Sequence, residues 1–146
     1  MINNSQRDSP PRIMVVDDEK DILRVIKRDL ESGRNNNNYE TNFLVDAFSS
    51  SELALDAIEH HPSNYYDLVL TDIRMPKMNG FELYRRIKEK NPSMKIAFIT
   101  AFEINKEEFS KVLPSIDVKD FIIKPISMAN LIRKLKSMID TTAEGK

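Results

Sequence analysis

The sequence predicts a doubly wound α/β fold in which five strands alternate with five helices. Short apolar runs rich in β-branched residues suit strands that are covered on both faces. Between these runs lie segments whose apolar residues recur at helical spacing. Because this alternation implies right-handed crossover connections, we expect the strands to be parallel and the helices to cover both faces of the sheet.

Composition excludes several classes of protein. The 146 residues fit one domain, and the absence of cysteine rules out a disulfide framework, a thiolate metal site and a cysteine nucleophile. With 22 Lys+Arg against 23 Asp+Glu there is no basic excess, so no direct binding to nucleic acid is expected. The polar amino terminus and the lack of a long apolar run predict a cytoplasmic protein without a membrane segment.

The first half of the chain contains three predicted strands and two helices. The strands are the apolar runs at residues 13–16, 42–48 and 68–70. A helix at residues 21–31 is followed by Gly33 as a stop signal, and a second begins after a Ser-x-x-Glu capping box at residues 49–52. We expect the second helix to bury the apolar face formed by Leu53, Ala54, Ala57 and Ile58.

The second half completes the alternation. Helices are predicted at residues 81–90 and 107–113, and a last helix begins near Ser127. The remaining strands are the runs at residues 95–100 and 121–123. We expect a globular domain at residues 12–140, flanked by a flexible leader at residues 1–11 and a tail at residues 141–146.

Polar side chains collect where the predicted strands end. Ligands of open parallel sheets bind outside the carboxyl ends of the strands, so these side chains should meet at one edge. Close carboxylates repel one another unless a hard cation such as Mg²⁺ compensates them, and a nearby ammonium and hydroxyl would complete a cradle for a phosphoryl group. One carboxylate can then act as a nucleophile. The residues are Asp17 and Asp18 after the first strand, Asp72 after the third, Thr100 and Ala101 at the fourth, and Lys124 after the fifth.

Taken singly, each of these residues has a simpler interpretation. An aspartate after a strand is usually the N-cap of the following helix, and a Lys-Pro pair is usually a turn. The two histidines, His60 and His61, are adjacent and give no sign of a metal site. Only the combination of polar residues at successive strand ends favours phosphoryl chemistry.

Four segments carry a resemblance to a known family. They read IMVVDDEKDILRVIKRDLE, YDLVLTDIRMPKMNGFELYRRI, IAFITA and FIIKPIS, and the match runs from Ile13 to about Ile139. The most specific part is an aspartate followed by I-x-M-P-x-M-[DN]-G-x-E. The chain resembles the receiver domain of CheY-like response regulators in two-component phosphorelay systems. The resemblance implies a flavodoxin-like (βα)5 fold with strand order 2-1-3-4-5.

The resemblance also implies roles for individual residues. Asp72 would be the phosphoacceptor. Mg²⁺, with Mn²⁺ as a substitute, would be held by Asp18 directly, by Asp17 through water or a further contact, by Asp72, and by the backbone carbonyl of Arg74. Thr100 would bond a phosphoryl oxygen and Lys124 would pair with the phosphoryl group, its bond to Pro125 being cis. Ala101 would keep the pocket open.

A switch is implied as well. When Thr100 moves toward the phosphoryl group, the ring of Phe121 can rotate and repack the surface of the fourth helix, fifth strand and fifth helix (α4-β5-α5 in the family), the usual partner surface. The alternative is that Phe121 is only a core residue. Arg74 and Phe102, two residues beyond Asp72 and Thr100, are hypothesised to tune the lifetime of the phosphoryl group; the alternative is that both are solvated.

We therefore expect a single-domain response regulator that is phosphorylated on Asp72 by a histidine kinase or a phosphotransfer protein. It would assist its own phosphorylation and dephosphorylation without being a turnover enzyme, and would act on an unidentified downstream protein as a monomer or a phosphorylation-dependent dimer. Two alternatives remain: an interaction module that needs no phosphorylation, and an Asp-nucleophile phosphatase like the haloacid dehalogenases. The latter prefer Asp-x-Asp, whereas the aspartates here are adjacent.

Overall fold

A computed structural model describes residues 9–32, 42–101, 121–124 and 126–140. Several sequence predictions fall outside these ranges. They are most of the leader predicted at residues 1–11, the tail at residues 141–146, the stop at Gly33, the helix at residues 107–113, the position of Phe102 and the cis bond to Pro125.

The five described strands form one parallel sheet in the order β2-β1-β3-β4-β5, which confirms the predicted topology. At its carboxyl edge Val16 aligns with Phe48 and Thr71, and Thr100 aligns with Ile123. Residues that follow β1, β3, β4 and β5 therefore meet at one edge. The strands are β1 (Arg12–Val16), β2 (Leu44–Phe48), β3 (Leu68–Thr71), β4 (Ile96–Thr100) and β5 (Phe121–Ile123).

Helices cover both faces of the sheet, as predicted. In the described ranges they are α1 (Lys20–Glu31), α2 (Ser51–Glu59), α3 (Gly80–Lys90) and α4 (Met128–Asp140), the last of which is the fifth helix of the sequence prediction. Successive side chains of a strand point to opposite faces, so Met14 packs with α2 and α3 while Ile13 packs with α1 and α4. No helix within these residues has the length and apolar character needed to cross a membrane.

The start of α2 differs by one residue from the predicted capping box. The N-cap is Ser50, whose hydroxyl accepts a hydrogen bond from the backbone N–H of Leu53 at 3.1 Å. Leu53 was expected on the buried face but is 53% exposed, whereas Ala54 is fully buried. Three consecutive serines each offer a cap, so the local sequence does not decide at which of them the helix begins. Ala54 and Ile58 of the predicted face are nevertheless buried.

Candidate functional site

The two aspartates after β1 do not cap the following helix. The N-cap of α1 is Glu19, and it makes no side-chain capping bond. Asp17 is 1% exposed, and its Oδ1 accepts the backbone N–H of Glu19 at 2.9 Å, while Asp18 is exposed. The simple capping interpretation of these two carboxylates is therefore wrong, and both lie at the carboxyl edge of the sheet.

Asp72 is fixed at the end of β3 by its own backbone and side chain. Its N–H donates to the carbonyl of Val16 at 2.9 Å, which extends the pairing of β3 with β1. Its carboxylate Oδ1 accepts the N–H of Ile73 at 2.7 Å, so the side chain is held beside the chain turn. The residue is half-buried, which leaves part of the carboxylate open to a ligand.

The three carboxylates converge. One oxygen from each of Asp17, Asp18 and Asp72 can be chosen so that all three lie within 4.8 Å of one another. The pKa of Asp17 is raised to about 6, chiefly because burial disfavours the charged form and also because Asp72 and Asp18 repel it. The Glu19 N–H and the Lys124 ammonium oppose this rise. Burial also raises the pKa of Asp72, opposed by the Ile73 N–H and by Lys124.

This donor set fits a hard divalent cation. Among the described residues, Asp17 Oδ2 is a buried oxygen without a hydrogen-bond partner, and the ammonium of Lys124 lies 4.0 Å away, beyond hydrogen-bond distance. A buried oxygen in that state is costly unless a ligand satisfies it, and carboxylate oxygens are among the hard oxygen ligands that Mg²⁺ binds, together with waters and phosphate oxygens. Arg74 is exposed on the loop that follows Asp72, where its backbone carbonyl could be a further ligand.

The far side of the site is formed by β4 and β5. Lys124 is anchored by its backbone N–H, which donates to the carbonyl of Thr100 at 2.9 Å, and its side chain is 24% exposed. Thr100 is 1% exposed at the end of β4, and Ala101 after it is exposed. The structure thus places Lys124 beside the carboxylates and Thr100 at the same edge.

Phe121 lies within an aromatic cluster on the α2 and α3 face of the sheet. Its ring stacks on Phe98 with centroids 5.1 Å apart and meets the edge of Phe81 at 6.3 Å. The residue is only partly buried. Its ring therefore packs inward while part of it remains open to the surface.

Sequence reasoning missed how the loop that carries Asp72 is held. We call residues 72–79 the β3–α3 loop. The N–H of Gly80 donates to the carbonyl of Ile73 at 2.7 Å, and a Cβ on Gly80 would lie 2.3 Å from the carbonyl oxygen of Asp72. The Asn-Gly pair is a turn signal that could have indicated this closure, because glycine permits close backbone approach.

Comparisons with known proteins agree with this geometry. The family model described as the response regulator receiver domain matches residues 13–136. Response regulator receiver protein CpdR of Brucella abortus is 30% identical over 128 residues, which cover 88% of this chain and 96% of CpdR. Response regulator ArlR of Staphylococcus saprophyticus is 31% identical over 129 residues, 88% of this chain but 52% of ArlR, so the chain spans about half the length of that relative.

A solved structure shows the same fold. The crystal structure of a CheY-like response regulator receiver domain protein from Methanospirillum hungatei superposes with a TM-score of 0.76 at 26% identity, covering 94% of this chain and all of that one. The parallel sheet, with an acidic pocket and a lysine at its carboxyl edge, has the features of a class of signalling domains that bind Mg²⁺. Within that class, the chain belongs to the response regulator receiver family of two-component signalling.

Asp17→Asn should stabilise the metal-free protein while weakening Mg²⁺ binding. The substitution removes a charge whose burial is unfavourable, and a pKa raised from 3.8 to about 6 corresponds to a gain of about 3 kcal/mol at pH 7. Urea unfolding in EDTA measures the first effect, and the rise of the unfolding midpoint with added Mg²⁺ measures the second. An Asp17→Asn variant that is less stable than the parent in EDTA would contradict the assignment of unfavourable burial.

Lowering the pH should stabilise the metal-free protein in the same way. The pKa of Asp17 is higher in the folded chain than in the unfolded chain, so the folded state binds a proton more readily. The free energy of unfolding should therefore rise as the pH falls from 7 through about 6, with the gain complete below the unfolded value of 3.8. Urea midpoints at pH 7 and pH 5 in EDTA check this, with Asp17→Asn as the control in which the difference shrinks.

Proposed function

We propose that this receiver domain accepts a phosphoryl group onto Asp72 from the phosphohistidine of a histidine kinase or a phosphotransfer protein, in a reaction that depends on Mg²⁺. The observation that carries the proposal is the meeting of three carboxylates, one with a buried unsatisfied oxygen, beside the ammonium of Lys124. Small donors such as acetyl phosphate can supply the same group.

The chemistry is a displacement at phosphorus. A carboxylate oxygen of Asp72 forms a bond to phosphorus as the bond from phosphorus to the donor nitrogen breaks, and the imidazole keeps the electron pair. Mg²⁺, or Mn²⁺ in its place, would be held by Asp17, Asp18, Asp72 and the backbone carbonyl of Arg74, and would supply positive charge to the phosphoryl oxygens. The Lys124 ammonium pairs with a phosphoryl oxygen, and the Thr100 hydroxyl donates to another.

The product is an acyl phosphate that the domain also removes. Water attacks phosphorus, the bond to the Asp72 oxygen breaks, and inorganic phosphate and the free carboxylate result. Asp72 is then a reactant that is regenerated, so the domain assists its own phosphorylation and dephosphorylation and turns over no outside substrate. Receiver domains are signalling domains, and this cycle sets the time for which the signal lasts.

The output is a change of surface. We assign the switch to Thr100 and Phe121, because Thr100 lies at the end of β4 and the ring of Phe121 packs against Phe98 of the same strand. A phosphoryl group that draws the Thr100 hydroxyl toward Asp72 alters the space open to that ring. The repacked surface around β5 and α4 then binds a downstream protein or a second copy of the chain.

Acyl phosphate formation tests the proposal. Incubation with acetyl phosphate and Mg²⁺ should give a hydroxylamine-sensitive phosphate that maps to Asp72 and is absent in EDTA. Absence of label together with failure to bind beryllofluoride would instead indicate an interaction module that needs no phosphorylation. Sustained turnover of p-nitrophenyl phosphate would indicate a phosphatase.

Arg74→Ala should shorten the lifetime of the acyl phosphate about twofold or more, because an exposed side chain beside the pocket obstructs the approach of water. Phe102→Ala should act in the same direction, because Phe102 directly follows Ala101 in the chain. The measurement is the first-order loss of label after the donor is removed. Arg85→Ala, exposed on α3, is the control and should leave the rate unchanged. A lifetime equal to that of the parent in both test variants would reject the tuning role.

A further inference from the structure

The β3–α3 loop contains an unfavourable turn. The N–H of Met78 donates to the carbonyl of Pro76 at 2.7 Å, which closes a γ-turn with Lys77 at its centre. Lys77 has φ 70°, a left-handed conformation that side chains other than glycine and asparagine rarely adopt. A loop with such a turn keeps its shape only where surrounding contacts determine it.

One such contact comes from another part of the chain. The hydroxyl of Ser51, the first residue of α2, donates to the carbonyl of Met78 at 2.8 Å, and Ser51 is 1% exposed. The helix itself does not use this hydroxyl, because Ser50 provides the N-cap. The buried bond therefore joins α2 to the residue that follows the unfavourable turn.

We propose that Ser51 is a positioning residue for phosphoryl acceptance: its hydroxyl holds the β3–α3 loop in the shape that keeps Asp72 and Arg74 at the pocket. The inference rests on the proposed function of Asp72. The loop has Asp72 at one end and Asn79, the N-cap of α3, at the other. Without the Ser51 bond, the loop relaxes into conformations that need no positive φ at Lys77, and its occupancy of the competent shape falls.

Two adjacent serines allow a matched comparison. Ser51→Ala removes the bond to the loop, and Ser51→Cys keeps a side chain of similar size with a much weaker donor. Ser50→Ala is the control, since it removes the helix cap at the neighbouring position without touching the loop. All three variants are compared in the same 146-residue chain by urea unfolding, so that losses of stability can be set against losses at the site.

Two measurements separate positioning from stability. Hydrogen exchange at the amides of Met78 and Gly80, in unphosphorylated protein without Mg²⁺, should be about three- to tenfold faster in both Ser51 variants, the effect of losing one hydrogen bond. The initial rate of labelling by acetyl phosphate should fall by a similar factor. Ser50→Ala should change neither measurement, although it lowers stability.

Two results would overturn the inference and leave the proposed function standing. One is hydrogen exchange at these amides that is unchanged in Ser51→Ala, and the other is equal labelling of Ser51→Ala and the parent. Equal effects of Ser50→Ala and Ser51→Ala show that only helix stability matters, and also overturn it. Absence of label in the parent protein contradicts the proposed function, and the positioning role falls with it.

Discussion

Asp72→Asn should abolish acyl phosphate formation and leave the fold intact. The amide has nearly the shape of the carboxylate and can still accept the Ile73 N–H through its oxygen, so β3 and its loop keep their contacts. It lacks the anionic oxygen that attacks phosphorus, and loss of a nucleophile typically costs several orders of magnitude in rate. Label from acetyl phosphate, detected by gel shift and confirmed by hydroxylamine cleavage, measures the outcome.

Asp56→Asn is the matched control, because Asp56 lies on α2 with its side chain 70% exposed. It should take up label at the rate of the parent. The unfolding midpoint of Asp72→Asn in EDTA should equal or exceed that of the parent, since the substitution removes one of three converging charges. Normal incorporation of phosphate into Asp72→Asn would assign the nucleophile to another residue.

Gly80→Ala should lower the free energy of unfolding by about 3 kcal/mol, the upper end of the usual cost of overpacking. A Cβ at this position would lie 2.3 Å from the carbonyl oxygen of Asp72 and 2.9 Å from the Cα of Ile73, and both are backbone atoms that cannot rotate away. The β3–α3 loop must therefore move, and labelling of Asp72 should slow as well. Urea unfolding midpoints with unchanged slopes provide the measurement.

The sign of this effect is informative, because alanine normally stabilises a helix by about 1 kcal/mol relative to glycine. Glu89→Ala, at an exposed position of α3, is the control and should change stability by only a few tenths of a kcal/mol. A Gly80→Ala variant as stable as the parent would show that the loop does not depend on this close approach.

Strand positions could be predicted because buried parallel strands leave a strong local signal. The run at residues 68–70 is apolar at every position, and β3 occupies Leu68–Thr71 with each residue buried. The predicted start of α2 was wrong by one residue, because three serines in succession are equally good caps and the choice among them depends on packing. That packing involves a loop 27 residues further along the chain, which no local pattern reports.

In the candidate site, too, some features could be predicted from the local sequence and others depend on packing. The sequence predicted a shared edge for the residues that follow strand ends in a parallel sheet. The structure places four of them together, namely Asp17, Asp18, Asp72 and Lys124. The difference between Asp17, which is buried, and Asp18, which is exposed, depends on the chain turn after β1. A direct contact of Asp18 with Mg²⁺, and an indirect one of Asp17, stay predictions.

The parallel arrangement of the sheet also indicates where the protein can be modified for experiments. Every strand begins at the edge opposite the carboxylates, where Asp67 accepts the backbone N–H of Arg12 at 2.8 Å and the ring of Tyr65 lies 4.6 Å from the Arg12 guanidinium. α1 ends, and β2 begins, at this remote edge. A fluorophore attached at Ser32, which is exposed and follows α1 at this edge, would therefore report on the molecule from a distance, without obstructing the chemistry.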